Sequence, residues 1–323
     1  MTKAIRIHAP GGPEAMKWED VPAPEPGPGE VVVKHEAIGL NYIDVYFRTG
    51  LYKAPSMPLT IGMEGAGTVT ALGAGVSEFA VGDRVAYAGA IGAYATERAL
   101  PAEKLVKLPA EIDFKTGAAM MLQGMTAQYL VRRTHAVKPG ETIVVHAAAG
   151  GVGLILCQWA KHIGATVIGV VSSEAKAELA RANGAAHTVV GYDKLVAEVK
   201  RITGGAMVPV VYDSIGKDTF HASLDCLAPL GLMASYGSAS GPVPPFDIGV
   251  LAAKGSLFLT RPSLATYVAK RADLVATAND LFEMVRLGAV KIAVNQTFAL
   301  KDAAAAHIAL ESRQTTGSTV LLP

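Results

Sequence analysis

The segment Ala147-Ala148-Ala149-Gly150-Gly151-Val152-Gly153 carries almost no side chain and lies between two apolar stretches. Before it, Thr142 to His146 is β-branched at Ile143, Val144 and Val145. Such a run suits a strand buried on both faces, as in a parallel sheet. After it, Leu154 to Ile163 has the length and composition of a mostly buried helix. Strand, bare turn and helix bring unpaired amide N–H groups and the positive end of a helix dipole to one point, which favours an anion. A Cβ at the turn would hold a pyrophosphate off. Against the template G-x-G-x-x-G, Ala148 takes the first position and Gly150 and Gly153 the other two. The context is that of a dinucleotide site, although the same turn would also let a helix pack tightly on its strand.

The tip of the next strand selects the nucleotide. There an acidic residue bonds a ribose 2′-hydroxyl and repels a 2′-phosphate. Here the tip reads Val171, Ser172, Ser173, with Lys176 one turn into the following helix. Two hydroxyls and an ammonium welcome a phosphate, so the expected cofactor is NADPH. Glu174 stands at a helix start, where acids are favoured by the dipole. The plainer reading of Lys176 is a solvated surface lysine.

A second cluster, Asn41 to Tyr52 (NYIDVYFRTGLY), gathers Asn41, Tyr42, Asp44, Tyr46, Arg48 and Tyr52 in one short helical or looped segment. Aromatic and polar tips together suit a cleft wall that touches a planar ligand. The alternative is an amphipathic turn with tyrosines capping the core and Asp44 paired to Arg48 at i,i+4.

These segments need a frame. The chain has 323 residues, half of them hydrophobic, enough for two domains. Residues 1–124 look β-rich, with strands at Ala4 to His8, around Val31 to His35, at Gly65 to Leu72 and at Val81 to Tyr87. Many short strands with turn signals between them suggest a barrel or sandwich. Lys115 to Arg133 reads as a helix broken near Gln123-Gly124, a candidate domain boundary. Residues 125–262 alternate strand and helix, which implies a doubly wound parallel sheet with right-handed crossovers. Residues 263–323 carry two helices and two strands and no nucleotide pattern; the expectation is that they fold back on the first domain.

Formal net charge is +1 with no basic run, so neither a nucleic acid nor an anionic membrane is indicated as a partner. The uncharged stretch Thr142 to Ala160 is long enough to raise a membrane span, but His146, Gln158 and the glycines argue for strand plus helix. The first ten residues lack the apolar core of a secretory signal. The two cysteines, Cys157 and Cys226, sit among apolar neighbours and read as buried free thiols. A cytoplasmic, reducing setting is the expectation.

Taken in order, NYIDVYFRTGLY, GMEGAGTV, GDRVAY, HAAAGGVG, CQWAK, VVYDSIG, SLDCL, SLFLTRPSL and ESRQTTGS resemble the zinc-free quinone oxidoreductases related to zeta-crystallin. These belong to the medium-chain dehydrogenase/reductase superfamily, and the resemblance runs over essentially the whole chain. It implies an α/β fold with a GroES-like β-rich catalytic domain and a Rossmann domain. It implies that Asn41, Tyr46 and Tyr52 line the nicotinamide cleft and that Thr126 sits near the nicotinamide ring. Gly150, Gly151, Val152 and Gly153 would bind the pyrophosphate. Ser172, Lys176 and Tyr192 would take the adenosine phosphate end, beside the Ser173 of the strand tip and with Arg313 as a further contact, and Ser214, Tyr236, Gly237 and Ser238 follow later strand ends, where ligands of open sheets sit. It also implies a homodimer through an edge strand, with Ser256 to Thr260 as the candidate; the same run would serve as an internal strand.

Zinc members of the superfamily hold their metal with a histidine in a G-H-E-x-x-G segment. Here Met63 stands at that position, the cysteine expected near Asn41 is missing, and two distant cysteines cannot make a structural four-cysteine site. Without a Lewis acid the substrate must accept hydride readily, as quinones and activated enones do. The expected work of the protein is to hold ring against ring within about 3–3.5 Å while NADPH supplies a hydride, or single electrons. Tyr46 or Tyr52 could donate a hydrogen bond to the quinol oxygen. The rivals are an enone or enoyl-thioester reductase on the same fold and a non-catalytic NADPH-binding protein.

Overall fold

The structure, a computed structural model, describes residues 1–323. The chain divides into two compact units. Unit 1 comprises Met1–Met125, Val268–Phe282 and Ile292–Pro323, and unit 2 comprises Thr126–Tyr267 and Glu283–Lys291.

Unit 1 begins with β1 (Thr2–Ile7), β2 (Lys17–Val21) and β3 (Glu30–Leu40), then α1 (Tyr42–Thr49). There follow β4 (Leu59–Thr60), β5 (Glu64–Leu72), β6 (Arg84–Ala88), β7 (Glu97–Pro101) and β8 (Val106–Lys107). The helix α2 (Phe114–Tyr129) leads into unit 2. The long strand β3 organises the unit: it pairs antiparallel with β5, with β7 and with the last strand of the chain. Its burial is continuous over Val31 to Val33, alternates over Lys34, His35 and Glu36, and is continuous again from Ala37 to Leu40, the mark of a strand that is mostly enclosed on both faces. Ile7, Val33, Ile38, Ile61, Tyr94 and Leu105 belong to that core.

The helix from Lys115 onward is not broken at Gln123-Gly124, as the sequence suggested. It runs on to Tyr129 and closes in a π-helical turn, Leu130–Thr134. Gly124 is there for packing, since a Cβ on it would lie 2.6 Å from both methyl carbons of Leu281.

Unit 2 contains β9 (Thr142–His146), α3 (Gly151–Ile163), β10 (Thr166–Val171), α4 (Glu174–Ala182), β11 (His187–Val190), α5 (Leu195–Ile202) and β12 (Val208–Asp213). It continues with α6 (Phe220–Asp225), β13 (Leu227–Ser235), α7 (Gly249–Ala253), β14 (Phe258–Thr260) and α8 (Leu264–Tyr267). The sheet order is β11-β10-β9-β12-β13-β14, parallel at every pairing. The chain starts mid-sheet, winds to one edge and returns to the other, so its switch point lies between β9 and β12, where open α/β sheets place ligands.

The chain then returns to unit 1 through α9 (Arg271–Arg286), β15 (Val294–Ala299), α10 (Ala303–Glu311) and β16 (Ser318–Leu322). β16 closes onto β3, with Val320 opposite Gly39. Cys157 and Cys226 are free and buried. No helix is long and apolar enough to cross a membrane.

Candidate functional site

In unit 2 the turn after β9 is a hollow of main chain. Ala147 takes a left-handed φ of 48°, and the N–H of Gly150 donates back to its carbonyl at 2.8 Å. The helix α3 starts at Gly151 with Gly150 as a cap that has no side chain. The N–H groups of Gly151, Val152 and Gly153 thus occupy the first turn, where intrahelical acceptors run out. A Cβ on Gly153 would lie 2.2 Å from the Ala147 oxygen and 2.8 Å from the Ala148 Cα. Only glycine lets the helix start lie so close to the strand end. The helix start therefore carries no side chain at Gly150, Gly151 or Gly153, and a first turn with unpaired N–H groups is the kind that favours an anion.

Because β9, β10, β12 and β13 are parallel neighbours, their C-terminal ends share one edge of the sheet. That edge brings together the glycine turn, Ser172, Ser214, Tyr236 and Gly237. Ser172 is exposed. Ser173 is the N-cap of α4, and its Oγ accepts from the Lys176 N–H at 3.4 Å. One acceptor site of that hydroxyl is therefore used by the helix. Lys176 is half-buried in the first turn. The Ser214 and Tyr236 hydroxyls share a hydrogen bond, and burial raises the Tyr236 phenol. A Cβ on Gly237 would lie 2.5 Å from the Ser214 oxygen. Ser238 accepts the Gly241 N–H at 3.0 Å in the loop that follows. Thr126 is buried and hydrogen-bonds the Tyr129 hydroxyl.

Beneath this edge lies a cluster that sequence reasoning missed. Asp213, fully buried, accepts N–H bonds at Oδ1 from Ile215 (2.7 Å) and Gly216 (3.1 Å). Its Oδ2 accepts from Thr219 and Ser223, both at 2.7 Å. Ser223, having donated to Asp213, accepts from His146 Nε2 at 2.9 Å, while burial lowers the His146 pKa against the pull of Asp213. The ring of Tyr192 stands 6.0 Å from that of His146. The only signal in the sequence was an acid ending an apolar strand.

In unit 1, α1 is capped by Asn41, whose N–H donates to Asp44 at 2.9 Å, three residues on. Tyr46 is nearly buried, its ring 5.2 Å from that of Tyr52, whose N–H donates to the Tyr46 oxygen at 3.0 Å. The helix and the turn after it thus hold the two tyrosines as a pair. The Asp44–Arg48 pair allowed by spacing does not form. Arg48 instead makes a bidentate contact with Glu311 of α10, both bonds 2.8 Å, and donates to His307 Nδ1 at 3.1 Å. His307 Nε2 then lies 3.0 Å from the Tyr94 hydroxyl, which donates to Asp44 at 3.0 Å. Burial and the Arg48 charge lower His307 to about 3, which keeps it neutral in this relay. Burial raises Asp44 to about 7, opposed by the N–H of Asn41 and the Tyr94 hydroxyl. Arg313 follows α10 in unit 1, exposed, with φ at 60°, and its charge acts on Tyr42.

Glu64, at the start of β5, is the other acid that the sequence did not single out. It is fully buried; Oε2 accepts from Asn41 Nδ2 at 2.6 Å and Oε1 from the Leu122 N–H at 2.7 Å. Burial raises it to about 8, despite those two bonds.

A zinc ion does not fit these donors. The residue before Glu64 is Met63, the Glu64 oxygens are held by amides, and no three His, Cys, Asp or Glu side chains come together as a metal site.

A parallel sheet with a bare phosphate hollow, joined in one chain to an antiparallel β unit, defines a nucleotide-dependent oxidoreductase of the medium-chain dehydrogenase/reductase superfamily. The family model for the alcohol dehydrogenase GroES-like domain matches residues 27–110, and that for zinc-binding dehydrogenases matches residues 151–279. The chain is 53% identical to a quinone oxidoreductase of Pseudomonas aeruginosa over all of both chains. It is 48% identical to a 2-haloacrylate reductase of a Burkholderia species, over all of this chain and 99% of that one. A crystal structure of Escherichia coli quinone oxidoreductase complexed with NADPH superposes with a TM-score of 0.97 at 46% identity, with full coverage of both chains. The chain belongs to the quinone oxidoreductase family.

Proposed function

We propose that the protein is an NADPH-dependent quinone reductase that works without zinc. The observation that carries the reading is the hollow after β9, where a Cβ on Gly153 would lie 2.2 Å from the Ala147 oxygen, in a family whose E. coli member was crystallised with NADPH. Gly150, Gly151, Val152 and Gly153 would bind the pyrophosphate. Ser172, Ser173, Lys176 and Tyr192 would take the adenosine end with its 2′-phosphate, with Arg313 as a further contact. Thr126, Ser214, Tyr236, Gly237 and Ser238 would line the remaining length of the cofactor. On this reading unit 2 would be the cofactor-binding domain and unit 1 the catalytic domain; the bounds expected from sequence, 125–262 against 1–124 with 263–323, differ from these units mainly in that residues 263–267 and Glu283–Lys291 belong to unit 2.

Bound NADPH would supply a hydride to the quinone ring. Asn41, Tyr46 and Tyr52 would line the nicotinamide and substrate site. The Tyr46–Tyr52 pair offers flat apolar faces for a ring and phenol hydroxyls for a quinone oxygen. Tyr52 is the more exposed of the two and is the residue that would donate a hydrogen bond as charge reaches that oxygen. Met63 and the amide-held Glu64 leave no Lewis acid to polarise an ordinary ketone, which restricts acceptors to those already electron-poor.

A second reading, reduction of activated alkenes, is favoured by the 48% identity to a 2-haloacrylate reductase. Initial rates of NADPH oxidation with a panel of quinones, 2-haloacrylates, alkenones and enoyl thioesters separate the two. Quinones should have the highest kcat/KM; a higher value on any alkene class makes the second reading the primary one, and no turnover with bound NADPH leaves only a binding protein. Organic-radical signals during turnover distinguish one-electron from hydride chemistry. The strand β14 lies at the sheet edge with Phe258 59% exposed, which supports pairing with a second copy along Ser256 to Thr260.

A further inference from the structure

Four side chains in unit 1 form one hydrogen-bonded row. Asn41 Nδ2 donates to Glu64 Oε2 at 2.6 Å, Gln123 Nε2 donates to Asn41 Oδ1 at 3.1 Å, and Ser318 Oγ donates to Gln123 Oε1 at 2.7 Å. The Ser318 hydroxyl has a second acceptor, the Ala119 carbonyl, at 3.1 Å. All four side chains are buried, Glu64 completely. The row is made room for: a Cβ on Gly39 would lie 2.3 Å from Glu64 Oε2.

The two middle members are amides, whose oxygen and NH₂ ends are nearly the same size and shape. With Glu64 ionised, every donor in the row points toward it. With Glu64 protonated, its O–H needs an acceptor, and Asn41 supplies one by turning its amide over. Asn41 Nδ2 then donates to Gln123 Oε1, Gln123 turns likewise and donates to Ser318 Oγ, and the Ser318 hydroxyl donates to Ala119. Each polar atom of the row keeps a partner in both arrangements, so neither leaves the buried unpaired group that would forbid it. The 2.6 Å link falls in the O–H···O range and below that of an amide on a carboxylate.

We propose that Glu64 is a positioning residue for the reaction: it sets which end of the Asn41 amide faces which way, and the row Glu64–Asn41–Gln123–Ser318 reverses as a unit when Glu64 takes up a proton. The inference rests on the reading that Asn41 lines the nicotinamide and substrate site. It identifies the protonated row as the faster form, because an ionised Glu64 places a buried negative charge one residue behind Asn41, against the charge that a quinone oxygen gains.

Other titratable groups surround Glu64. Asp44 of α1 raises it further. Tyr87 of β6 and Tyr94 feel its charge, and burial raises both phenols, so they stay neutral across the range tested. His35 of β3, bonded to Tyr87 at 2.7 Å, is lowered to about 4 by burial and is neutral as well. Of these groups Asp44 titrates nearest to Glu64, at about 7, and the Glu64→Gln variant separates the two.

The test is the pH dependence of kcat for NADPH oxidation by 1,4-benzoquinone in the wild type, Glu64→Gln, Asn41→Ala and the double variant. A single group titrating near 8 predicts a wild-type fall of about tenfold between about pH 7 and about pH 9, with KM for NADPH nearly constant. Glu64→Gln should run flat over that range and should cause no further change in the Asn41→Ala background. A fall that persists in Glu64→Gln, or effects of the two substitutions that multiply, overturns the inference. An infrared difference spectrum of the ligand-free wild type over the same pH range gives the second measurement. A protonated-carboxyl stretch should disappear as pH rises and should shift in Asn41→Ala. Its absence overturns the inference even where Glu64→Gln does not fold. If the stretch titrates but no quinone is reduced, it is the functional reading that fails, and the row stands.

Discussion

Glu64 opens β5 in unit 1 and Asp213 closes β12 in unit 2; both carboxylates are fully buried, and they are held in different ways. Asp213 has four donors, two of them main-chain N–H groups of the loop it anchors. Those N–H groups cannot turn over, so the acid and the strand end it supports are fixed in one arrangement. Glu64 accepts main-chain N–H groups of α2 as well, but its Oε2 is held by a side-chain amide that can reverse. On the proposed reading unit 2 holds, its main chain presenting a fixed edge to a phosphate, and unit 1 works through side chains that can exchange a proton. Changes in unit 2 should therefore register in stability and cofactor affinity, and changes in unit 1 in turnover and pH dependence.

The sharpest way to break that contrast is Asp213→Ala. It strips four donors of their shared acceptor and should cost about 3–5 kcal/mol. Denaturant unfolding followed at Trp159, fully buried in unit 2, should shift by that amount; a cost under about 1 kcal/mol would mean that the loop is held by something else. Next in size, Lys176→Glu should move the NADPH-to-NADH ratio of kcat/KM by about ten- to a hundredfold, the worth of one charged hydrogen bond. An unmoved ratio returns Lys176 to an ordinary surface lysine.

Protonation gives a third comparison. Burial holds Glu64 at about 8 and Asp44 at about 7, above their ordinary values of 4.5 and 3.8. The unfolded chain releases these protons first, so stability falls as pH rises between the ordinary and the raised values. His35 and His307, lowered from 6.5 to about 4 and about 3, work the other way and lose stability as pH falls below 6.5. The two pairs offset one another in mild acid. Above about pH 6.5 only the acids remain, and stability should drop by up to about 1.4 kcal/mol per pH unit for each. Chemical denaturation at several pH values should show this drop continuing to about pH 8, where Glu64 is ionised, and ending near pH 7 in Glu64→Gln, where only Asp44 is left; an equal drop in that variant would assign it to other groups. Smallest of all, Tyr52→Phe should lower kcat by well under about a hundredfold with NADPH affinity unchanged. Complete loss of turnover with intact binding would make Tyr52 the essential proton donor.

Local patterns read through well. The strands Thr142–His146, His187–Val190 and Ser318–Leu322 and the helix Glu174–Ala182 stand where periodicity and capping residues place them, because each is decided by its own few residues. The bare turn was legible because the absence of Cβ atoms is itself a local signal. Strands β2 and β8 were not legible: Lys17–Val21 lies largely exposed with no buried face to alternate, and Val106–Lys107 is two residues long. Gly124 looked like a break because its reason, Leu281, is far along the chain. The rows behind the candidate site are hidden for the same cause. Glu64 meets Asn41, and Asn41 meets Gln123, across 23 and 82 residues of chain, and Ser318 joins Gln123 and Glu311 joins Arg48 only through the return of the C-terminal segment to unit 1. Nothing in Glu64 or His307 alone marks it as buried.

The central claim is that this chain delivers hydride from NADPH to a quinone with no metal. It is tested most directly by following the label from NADPH deuterated at C4 after exhaustive dialysis against a chelator. The account predicts undiminished quinone reduction, with a primary isotope effect when the transferred position carries deuterium. Activity that vanishes on chelation and returns with Zn²⁺ would contradict it.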